Sequence, residues 1–179
     1  MDLLKCLDMG WKMNNWKVEE IEWHEIYPFW SQFLWPGRPQ IKPYTPMLNA
    51  TDKDMNIHKL AGSNFAFYAG VFFGVRTVEG EIVGVNSGHQ CSNTLFRSRG
   101  LYVRPEATGR GIAQALLTHT IEFARENGFK KIWSYPREKA IPTYKAVGYD
   151  CGKAEIHEAY EKEDGTIVKR DNAYAELIL

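Results

Sequence analysis

The stretch LYVRPEATGRGIAQALLTHTIEFA, residues 101–124, decides the fold of this chain. Its first residues, 101–103, form a short apolar strand. That strand runs through a turn carrying Gly109 and Gly111 into an amphipathic helix, which we predict over 109–127. The first N–H groups of a helix have no partner within the helix, and the helix dipole makes that end partly positive. A strand that reaches a helix start through glycines therefore predicts a phosphate-binding site.

The bulk composition is that of one folded domain. The chain has 179 residues, of which 44% are hydrophobic, and its 22 basic residues balance its 22 acidic residues. This balance gives no electrostatic case for nucleic-acid binding, and no apolar run approaches the ~20 residues that cross a membrane. Three widely spaced cysteines, Cys6, Cys91 and Cys151, predict free thiols in a reducing compartment and hence a cytoplasmic protein. We assign residues 1–16 to an N-terminal extension and 17–179 to a single domain.

Residues before the quoted stretch carry both helical and strand patterns. Pro28 predicts that the aromatic helix within 24–35 starts near it, where a missing N–H costs little. Prolines mark a loop over 36–50, and a short helix is predicted over 51–61. The predicted strands in this part are 17–23, 64–77 and 82–91.

Residues around and after the quoted stretch complete a mixed sheet. A loop at 92–97 leads to the central strand, and a second helix is predicted over 138–147. Arg97 and Arg99 are interpreted as solvated charges at the strand end, with the alternative that they steer an acidic substrate or the nucleotide phosphate. The predicted strands are 132–135, 149–160 and 167–178. This order predicts an α/β (α+β) fold, with a mixed central sheet of about seven strands and about four helices on its faces.

The glycine turn has the spacing of a known acyl-CoA-binding loop. In the GNAT superfamily of N-acetyltransferases, the pyrophosphate loop runs Arg or Gln, two free positions, Gly, one free position, and Gly or Ala. The segment Thr108-Gly109-Arg110-Gly111-Ile112-Ala113 resembles this pattern. Thr108 stands where the family has Arg or Gln. Backbone N–H groups do most of the binding in such a loop, and Arg110 supplies a nearby charge.

A second segment strengthens the resemblance. Residues 140–144, Ala-Ile-Pro-Thr-Tyr, look like the family's helix beside the thioester, in which a tyrosine four residues after an alanine often protonates the departing thiolate. Pro142 is unusual there and fits in the first turn of a helix. Dinucleotide-binding and Walker motifs fit less well, because Gln114 replaces a third glycine and no Gly-Lys-Ser or Gly-Lys-Thr occurs.

The resemblance implies a GNAT-like, splayed sheet and binding of acetyl-CoA as acyl donor. The pantetheine arm then lies along the central strand, between it and the strand at 132–135. The N–H of Leu101 stabilises charge on the thioester oxygen, and Tyr144 acts as general acid unless it is only a packed aromatic. The implied binding residues are Leu101, Tyr102, Val103, Thr108, Gly109, Arg110, Gly111, Ile112 and Ala113.

Neither motif identifies the general base. Relatives often carry Glu or His just before the central strand, where this chain has Arg-Ser-Arg at 97–99. His89 is one candidate, with an ordinary hydrogen-bonded strand histidine as the alternative. Glu22, His24 and Glu25 are others. A substrate amine that loses its proton to solvent is a further alternative, so the base stays open.

Aromatic residues cluster before the proline-rich loop. Trp30, Phe33 and Trp35 either pack in the core or wall an apolar acceptor pocket, and both interpretations stay open because aromatic enrichment fits each. The histidines show no ligand spacing with one another or with a cysteine, so we predict no metal site.

Together these features predict an N-acetyltransferase that moves an acetyl group from acetyl-CoA to a primary amine by direct attack in a ternary complex. No cysteine lies in a recognisable nucleophile context, which disfavours a covalent acyl-enzyme. Two alternatives come from other classes: a non-catalytic acyl-CoA-binding or sensing domain, and a partner-binding module built on the aromatic N-terminal third. The expected partners are acetyl-CoA and a small amine or peptide amine, without nucleic acid or membrane. The resemblance leaves a homodimer open.

Overall fold

The structure is a computed structural model, and it describes residues 16–38, 70–162 and 164–179. Predictions that fall elsewhere lie outside the described residues. Among them are the helix at 51–61, most of the loop at 36–50 and nearly all of the N-terminal extension.

Strands and helices follow one another in nearly the predicted order, with shifted bounds. The strands are β1 (Val18–Ile21), β2 (Val71–Arg76), β3 (Ile82–Gln90), β4 (Leu95–Val103), β5 (Lys131–Ser134), β6 (Asp150–Cys151), β7 (Ile156–Glu161), β8 (Ile167–Asn172) and β9 (Ala175–Ile178). The helices are α1 (Trp23–Phe29), α2 (Ile112–Glu126) and α3 (Ile141–Ala146). A π-helical turn at Trp30–Leu34 extends α1, and 3₁₀ turns at Pro105–Ala107 and Glu138–Ala140 precede α2 and α3.

Within the described residues, seven strands form one sheet in the order β1-β2-β3-β4-β5-β9-β6. Neighbouring strands run antiparallel except β4 and β5, which run parallel and are connected through α2. β7 and β8 form a separate two-stranded hairpin. This arrangement confirms the predicted α/β (α+β) class with a mixed central sheet.

Two helices cover the sheet and form most of its core. α2 buries Ile112 and Leu116 completely, and a Cβ on Gly84 would lie 2.6 Å from Ile112 Cγ2, so β3 needs glycine for the helix to approach. α1 and the π-helical turn bury Ile26 and Trp30 against β2 and β3. Burying a side chain of this size stabilises the fold by about 1.5–3 kcal/mol. No helix in the described ranges has the length and apolarity needed to cross a membrane.

The prediction that α1 starts near Pro28 is wrong. The helix starts at Trp23, just after Glu22 donates its N–H to the Glu25 carboxylate at 2.9 Å. Such a carboxylate in the first turn favours a helix start. Pro28 lies inside α1 and removes one backbone bond. After the proline the helix changes from α-helical to π-helical hydrogen bonding. The Trp35 N–H donates to the Trp30 carbonyl, five residues back, at 2.7 Å.

The strands predicted at 149–160 and 167–178 are each broken in two. β6 and β9 join the main sheet, whereas β7 and β8 leave it and pair with each other. Of the strand residues of this hairpin, only Tyr160 and Asn172 are buried, so the strands lack the apolar face that a strand needs to add to a packed sheet. The central strand also starts earlier than predicted, because Leu95–Arg97 pairs with β5 where a loop at 92–97 was expected.

Candidate active site

A cavity opens where β4 and β5 part. Among the described residues, the two strands pair only at Leu95–Arg97 and Lys131–Trp133. Beyond that point they line opposite sides of a cavity of about 1380 Å³. The cavity runs from Thr108 and Ala113, at the start of α2, to Arg170 on the β7–β8 hairpin. The predicted separation of the central strands is therefore confirmed.

A bulge in β4 sets the backbone that faces this cavity. The register passes from Val85–Tyr102 to Ser87–Arg99, so Gly100 and the residue after it stand opposite a single residue of β3. Gly100 has a φ of 77°, which only glycine adopts at low cost, and a Cβ there would lie 2.7 Å from Nε1 of the Trp30 indole. The bulge releases part of the strand from regular pairing.

Leu101 is the second residue of this bulge. It lies on the edge of β4 that has already separated from β5, and it lines the cavity together with Tyr102 and Val103. Backbone groups of these three residues are therefore positioned beside the open space, as the sequence predicts for a strand that binds an extended ligand.

The turn before α2 forms an open cradle of backbone groups. Gly109 and Gly111 have φ values of 75° and 78°, and a Cβ on either would meet nothing within 4 Å. The first bond of the helix ladder runs from the Ala115 N–H to the Gly111 carbonyl, so the N–H groups of residues 112–114 precede the ladder. Thr108 and Ala113 line the cavity itself.

Two hydrogen bonds hold this turn in place. The Trp16 indole N–H donates to the Arg110 carbonyl at 2.7 Å, and the Thr108 hydroxyl donates to the Pro105 carbonyl at 2.8 Å. Both bonds occupy carbonyl oxygens, so they fix the turn without using its N–H groups. The bond to Pro105 holds the Thr108 hydroxyl against the backbone of the preceding turn.

Tyr144 lies on the β5 side of the cavity, at the C-terminal half of α3. It is 3% exposed, and its hydroxyl lies 3.2 Å from Ser134 Oγ. Ser134 donates its own proton to the Ser98 carbonyl at 2.9 Å, so the Tyr144 hydroxyl is the donor to Ser134. Burial raises the pKa of Tyr144, which keeps the phenol protonated at neutral pH. Sequence reasoning did not single out Ser134, which orients this hydroxyl.

The three aromatic residues predicted for the acceptor pocket have different positions. Trp30 is fully buried in the core and lies behind the cavity wall. Phe33 is 42% exposed, lines the cavity and stacks on Tyr102 with ring centroids 4.9 Å apart. Trp35 also lines the cavity, with its ring 5.1 Å from that of Trp30. The core and pocket interpretations therefore each describe part of the cluster.

Arg97 and Arg99 are not the solvated strand-end charges that the sequence suggests. Both lie within β4 and line the cavity. The Arg97 guanidinium lies 4.6 Å from the Trp133 ring centre, and that of Arg99 lies 4.9 Å from the Trp35 ring centre. Burial lowers the pKa of both groups, to about 9 for Arg99. Their position follows from β4 starting earlier than predicted.

The β7–β8 hairpin adds charged residues that sequence reasoning missed. Glu158 and Arg170 line the cavity from this hairpin, and Glu158 accepts a bond from Arg38 at 2.8 Å. Arg137 also lines it and donates to the Leu34 carbonyl at 2.9 Å. No local pattern signals these positions, because each depends on the hairpin folding back over the end of the sheet.

The structure does not support His89 as a base that contacts substrate. Its ring is fully buried beside Trp30 and Phe72 and is not part of the cavity lining. Ser87 Oγ donates to the Arg99 carbonyl at 2.5 Å, so His89 Nε2, 2.8 Å away, donates to Ser87. Burial, with Arg99 and Arg97 nearby, lowers the pKa of His89 well below its usual value. These surroundings favour a strand histidine, in which Nε2 is hydrogen-bonded and Nδ1 is buried without a partner among the described residues.

We expect the buried, neutral His89 to make the fold sensitive to acid. Because its pKa is lowered in the folded state, its contribution is present above the ordinary histidine value of about 6.5 and is lost as pH falls below it. The free energy of unfolding should fall by about 1.4 kcal/mol for each pH unit below that value. Urea unfolding of the wild type and of His89→Gln, from pH 7.5 to 5.0, measures this slope.

The exposed His24 offers the control for that experiment. His24→Gln replaces an exposed histidine by the same residue, glutamine, so it controls for the loss of a histidine as such. His89→Gln should flatten the wild-type slope. Equal slopes in the wild type and His89→Gln would show that His89 takes up protons without unfolding.

The other base candidates lie away from the cavity. Glu22, His24 and Glu25 belong to the start of α1 and are not part of the cavity lining, and Glu25 pairs with Arg76 at 2.5 Å. The bond from the Glu22 backbone lowers the pKa of Glu25, with Arg76 as the next cause.

Among the described residues, no group of three or more His, Cys, Asp or Glu side chains is placed to hold a metal ion.

Comparison with known proteins identifies the family. A sequence model described as the Acetyltransferase (GNAT) family matches residues 18–149, from β1 to the end of α3 and its following turn. This chain belongs to the GNAT acetyltransferase family. Comparison with curated protein sequences gives no significant match.

Solved structures of other GNAT proteins share the fold. A GNAT family acetyltransferase from Elizabethkingia anophelis, solved with acetyl-CoA bound, gives a TM-score of 0.53 at 15% identity, over 93% of this chain and 99% of that chain. A protein from Lactobacillus plantarum assigned as an N-acetyltransferase gives 0.58 at 16% identity, with the same coverage of 93% and 99%. An assigned acyl-CoA N-acyltransferase from Klebsiella pneumoniae gives 0.58 at 15% identity, over 92% and 97%.

Proposed function

We propose that this GNAT protein transfers an acetyl group from acetyl-CoA to a primary amine by direct attack in a ternary complex. The observation that carries the proposal is one continuous cavity. It joins Thr108 and Ala113, on either side of the glycine turn, to the bulged edge of β4 and to Tyr144. The acetyl-CoA-bound relative from Elizabethkingia anophelis supports the same donor for this fold.

The donor half of the cavity suits a diphosphate and an extended arm. The N–H groups at residues 109–113 precede the ladder of α2, where the helix dipole favours negative charge. The open space beside Gly109 and Gly111 admits phosphate oxygens close to the backbone. The free edge of β4 at 101–103 offers strand-like hydrogen bonds, and the N–H of Leu101 is assigned to the thioester oxygen.

Tyr144 is the assigned general acid. Its hydroxyl is held toward Ser134 in the resting protein and turns to the sulfur as that atom gains charge. Because burial keeps the phenol protonated, it has a proton to give at neutral pH, and the thiol that receives it has an ordinary pKa of about 8.5. Acetyl-CoA supplies the activated acetyl group.

The amine loses its proton to water in the open cavity, as the solvent alternative in the sequence analysis allows. No side chain is assigned as the base. No step needs a cysteine: burial raises the pKa of Cys91 to about 11, and Cys151, the other described cysteine, is also away from the cavity lining.

Calorimetric titration with acetyl-CoA, followed by thiol release with a panel of amines, tests the proposal. We expect saturable binding and amine-dependent thiol release. Binding without thiol release above the hydrolysis background would overturn catalysis in favour of an acyl-CoA-sensing domain. Absence of binding would overturn the proposal altogether.

A further inference from the structure

Positive charge is concentrated at the end of the cavity away from the glycine turn. Five arginines from separate parts of the chain line this region, and they are Arg38, Arg97, Arg99, Arg137 and Arg170. Among the described lining residues, Glu158 is the only carboxylate. We call these five side chains the arginine cluster.

Among the described residues, the hydrogen bonds and ion pairs of Arg38, Arg97, Arg137 and Arg170 include one carboxylate, Glu158. Arg38 pairs with Glu158 at 2.8 Å. Arg137 and Arg170 donate to neutral acceptors, the Leu34 carbonyl and the Tyr160 hydroxyl, which satisfy hydrogen bonds but leave the charges in place. The Nε atom of Arg97 is buried and has no hydrogen-bond partner.

The surroundings of three of these arginines disfavour their charged form. Burial is the first cause that lowers the pKa of Arg97, Arg99 and Arg137, and neighbouring arginines add to the effect at Arg99 and Arg137. Like charges held together out of water destabilise a protein unless an opposite charge joins them. Such groups gather at binding and catalytic sites.

Aromatic rings hold two of these guanidinium groups in fixed orientations. Arg97 lies over Trp133 and, at 5.6 Å, over Tyr135, and the Arg99 guanidinium lies 4.9 Å from the ring centres of both Trp30 and Trp35. A guanidinium fixed by stacking presents its N–H donors as a ready-made fork, which matches the oxygens of a carboxylate or phosphate.

The cluster lies close to the proposed point of reaction. Arg99 is two residues before Leu101, and two residues of chain span at most about 7 Å. A group bound by the cluster and an amine at Leu101 therefore belong to one small molecule or to one end of a chain.

We propose that the acetyl acceptor is an amine that also carries an anionic group, a carboxylate or a phosphate, and that the arginine cluster binds this group. The inference rests on the proposed acetyl transfer and names the acceptor class for it. The formal net charge of zero for the whole chain hides this local excess of positive charge.

Thiol release from acetyl-CoA with matched amines tests the inference on the full chain. The pairs are L-glutamate with L-glutamine, L-alanine with L-alaninamide, and phosphoethanolamine with ethanolamine. We expect one anionic series to exceed its neutral partners by about 10- to 100-fold in kcat/KM, the worth of a charged hydrogen bond. The two series distinguish a carboxylate from a phosphate. An amide lowers the basicity of the alanine amine, so amine reactivity alone favours the neutral member of that pair.

The variant Arg99→Gln separates binding from folding. It should lower kcat/KM about 10- to 100-fold for the preferred anionic amines and leave the neutral amines unchanged, whereas damage to the fold lowers both. Arg125→Gln, at an exposed position in the last turn of α2 away from the cavity, is the matched control and should change neither.

The two proposals fail in different ways. Thiol release with neutral amines at an equal or greater kcat/KM overturns the anionic acceptor and leaves acetyl transfer standing. An Arg99→Gln variant that loses activity equally with both series also overturns it. No thiol release with any amine overturns the proposed function, and the acceptor inference falls with it.

Discussion

Replacing Tyr144 by phenylalanine should lower kcat about 100-fold, within the usual range for loss of a general acid. In the proposed mechanism the hydroxyl gives its proton to the departing sulfur, and Phe keeps the ring packing beneath the cavity. The affinity for acetyl-CoA should not change, because the cradle before α2 and the edge of β4 are untouched. Steady-state thiol release and calorimetric titration measure the two quantities separately.

Tyr149 is the matched control for this experiment. Its ring packs on that of Tyr144 with centroids 5.0 Å apart, and its hydroxyl is buried without a hydrogen-bond partner. Removing an unsatisfied hydroxyl costs little stability, so Tyr149→Phe should keep the wild-type kcat. An unchanged kcat in Tyr144→Phe would remove Tyr144 from the mechanism.

Gly111→Val should raise the Kd for acetyl-CoA about 10- to 100-fold, the loss expected when one charged hydrogen bond is not made. Valine strongly disfavours the φ of 78° found at this position, so the turn shifts and its N–H groups move. The valine methyl groups also enter the open space where phosphate oxygens approach. Calorimetry with acetyl-CoA gives the affinity.

Gly80→Val is the control that separates the effect of backbone strain from the effect of altering the phosphate-binding turn. Gly80 has a φ of 89°, has open space around it, and lies in the β2–β3 turn, which is not part of the cavity lining. Both variants should lower the free energy of unfolding by about 1–3 kcal/mol, but only Gly111→Val should weaken acetyl-CoA binding. Equal affinities in the two variants would place the phosphate site elsewhere.

The donor half of the site is predictable from sequence because it depends on local chemistry. A strand, two glycines and a helix start occupy consecutive positions, so the N–H groups at residues 109–113 meet at one place whatever the rest of the fold does. The bulge at Gly100 carried a weaker signal, an isolated glycine inside a strand, which often marks such a bulge.

The acceptor half is not predictable in this way because it is assembled from distant segments. Arg38 and Arg170 lie far apart in sequence and share the cavity only because the β7–β8 hairpin leaves the sheet. A pattern of alternating exposed charges predicts a strand but not the partner it chooses. Arg97 was misjudged for a similar reason, since its burial depends on Trp133 in the neighbouring strand.

The β7–β8 hairpin is separate from the main sheet, so its residues at the cavity can change independently of the sheet. Apart from a single bridge between Arg137 and Asn172, the described hairpin strands hydrogen-bond to each other rather than to the seven-stranded sheet. If the proposed acceptor site is right, changes in Glu158 or Arg170 should alter which amine is acetylated and leave acetyl-CoA binding intact. Exchange of this hairpin between relatives would then be a direct way to change the acceptor.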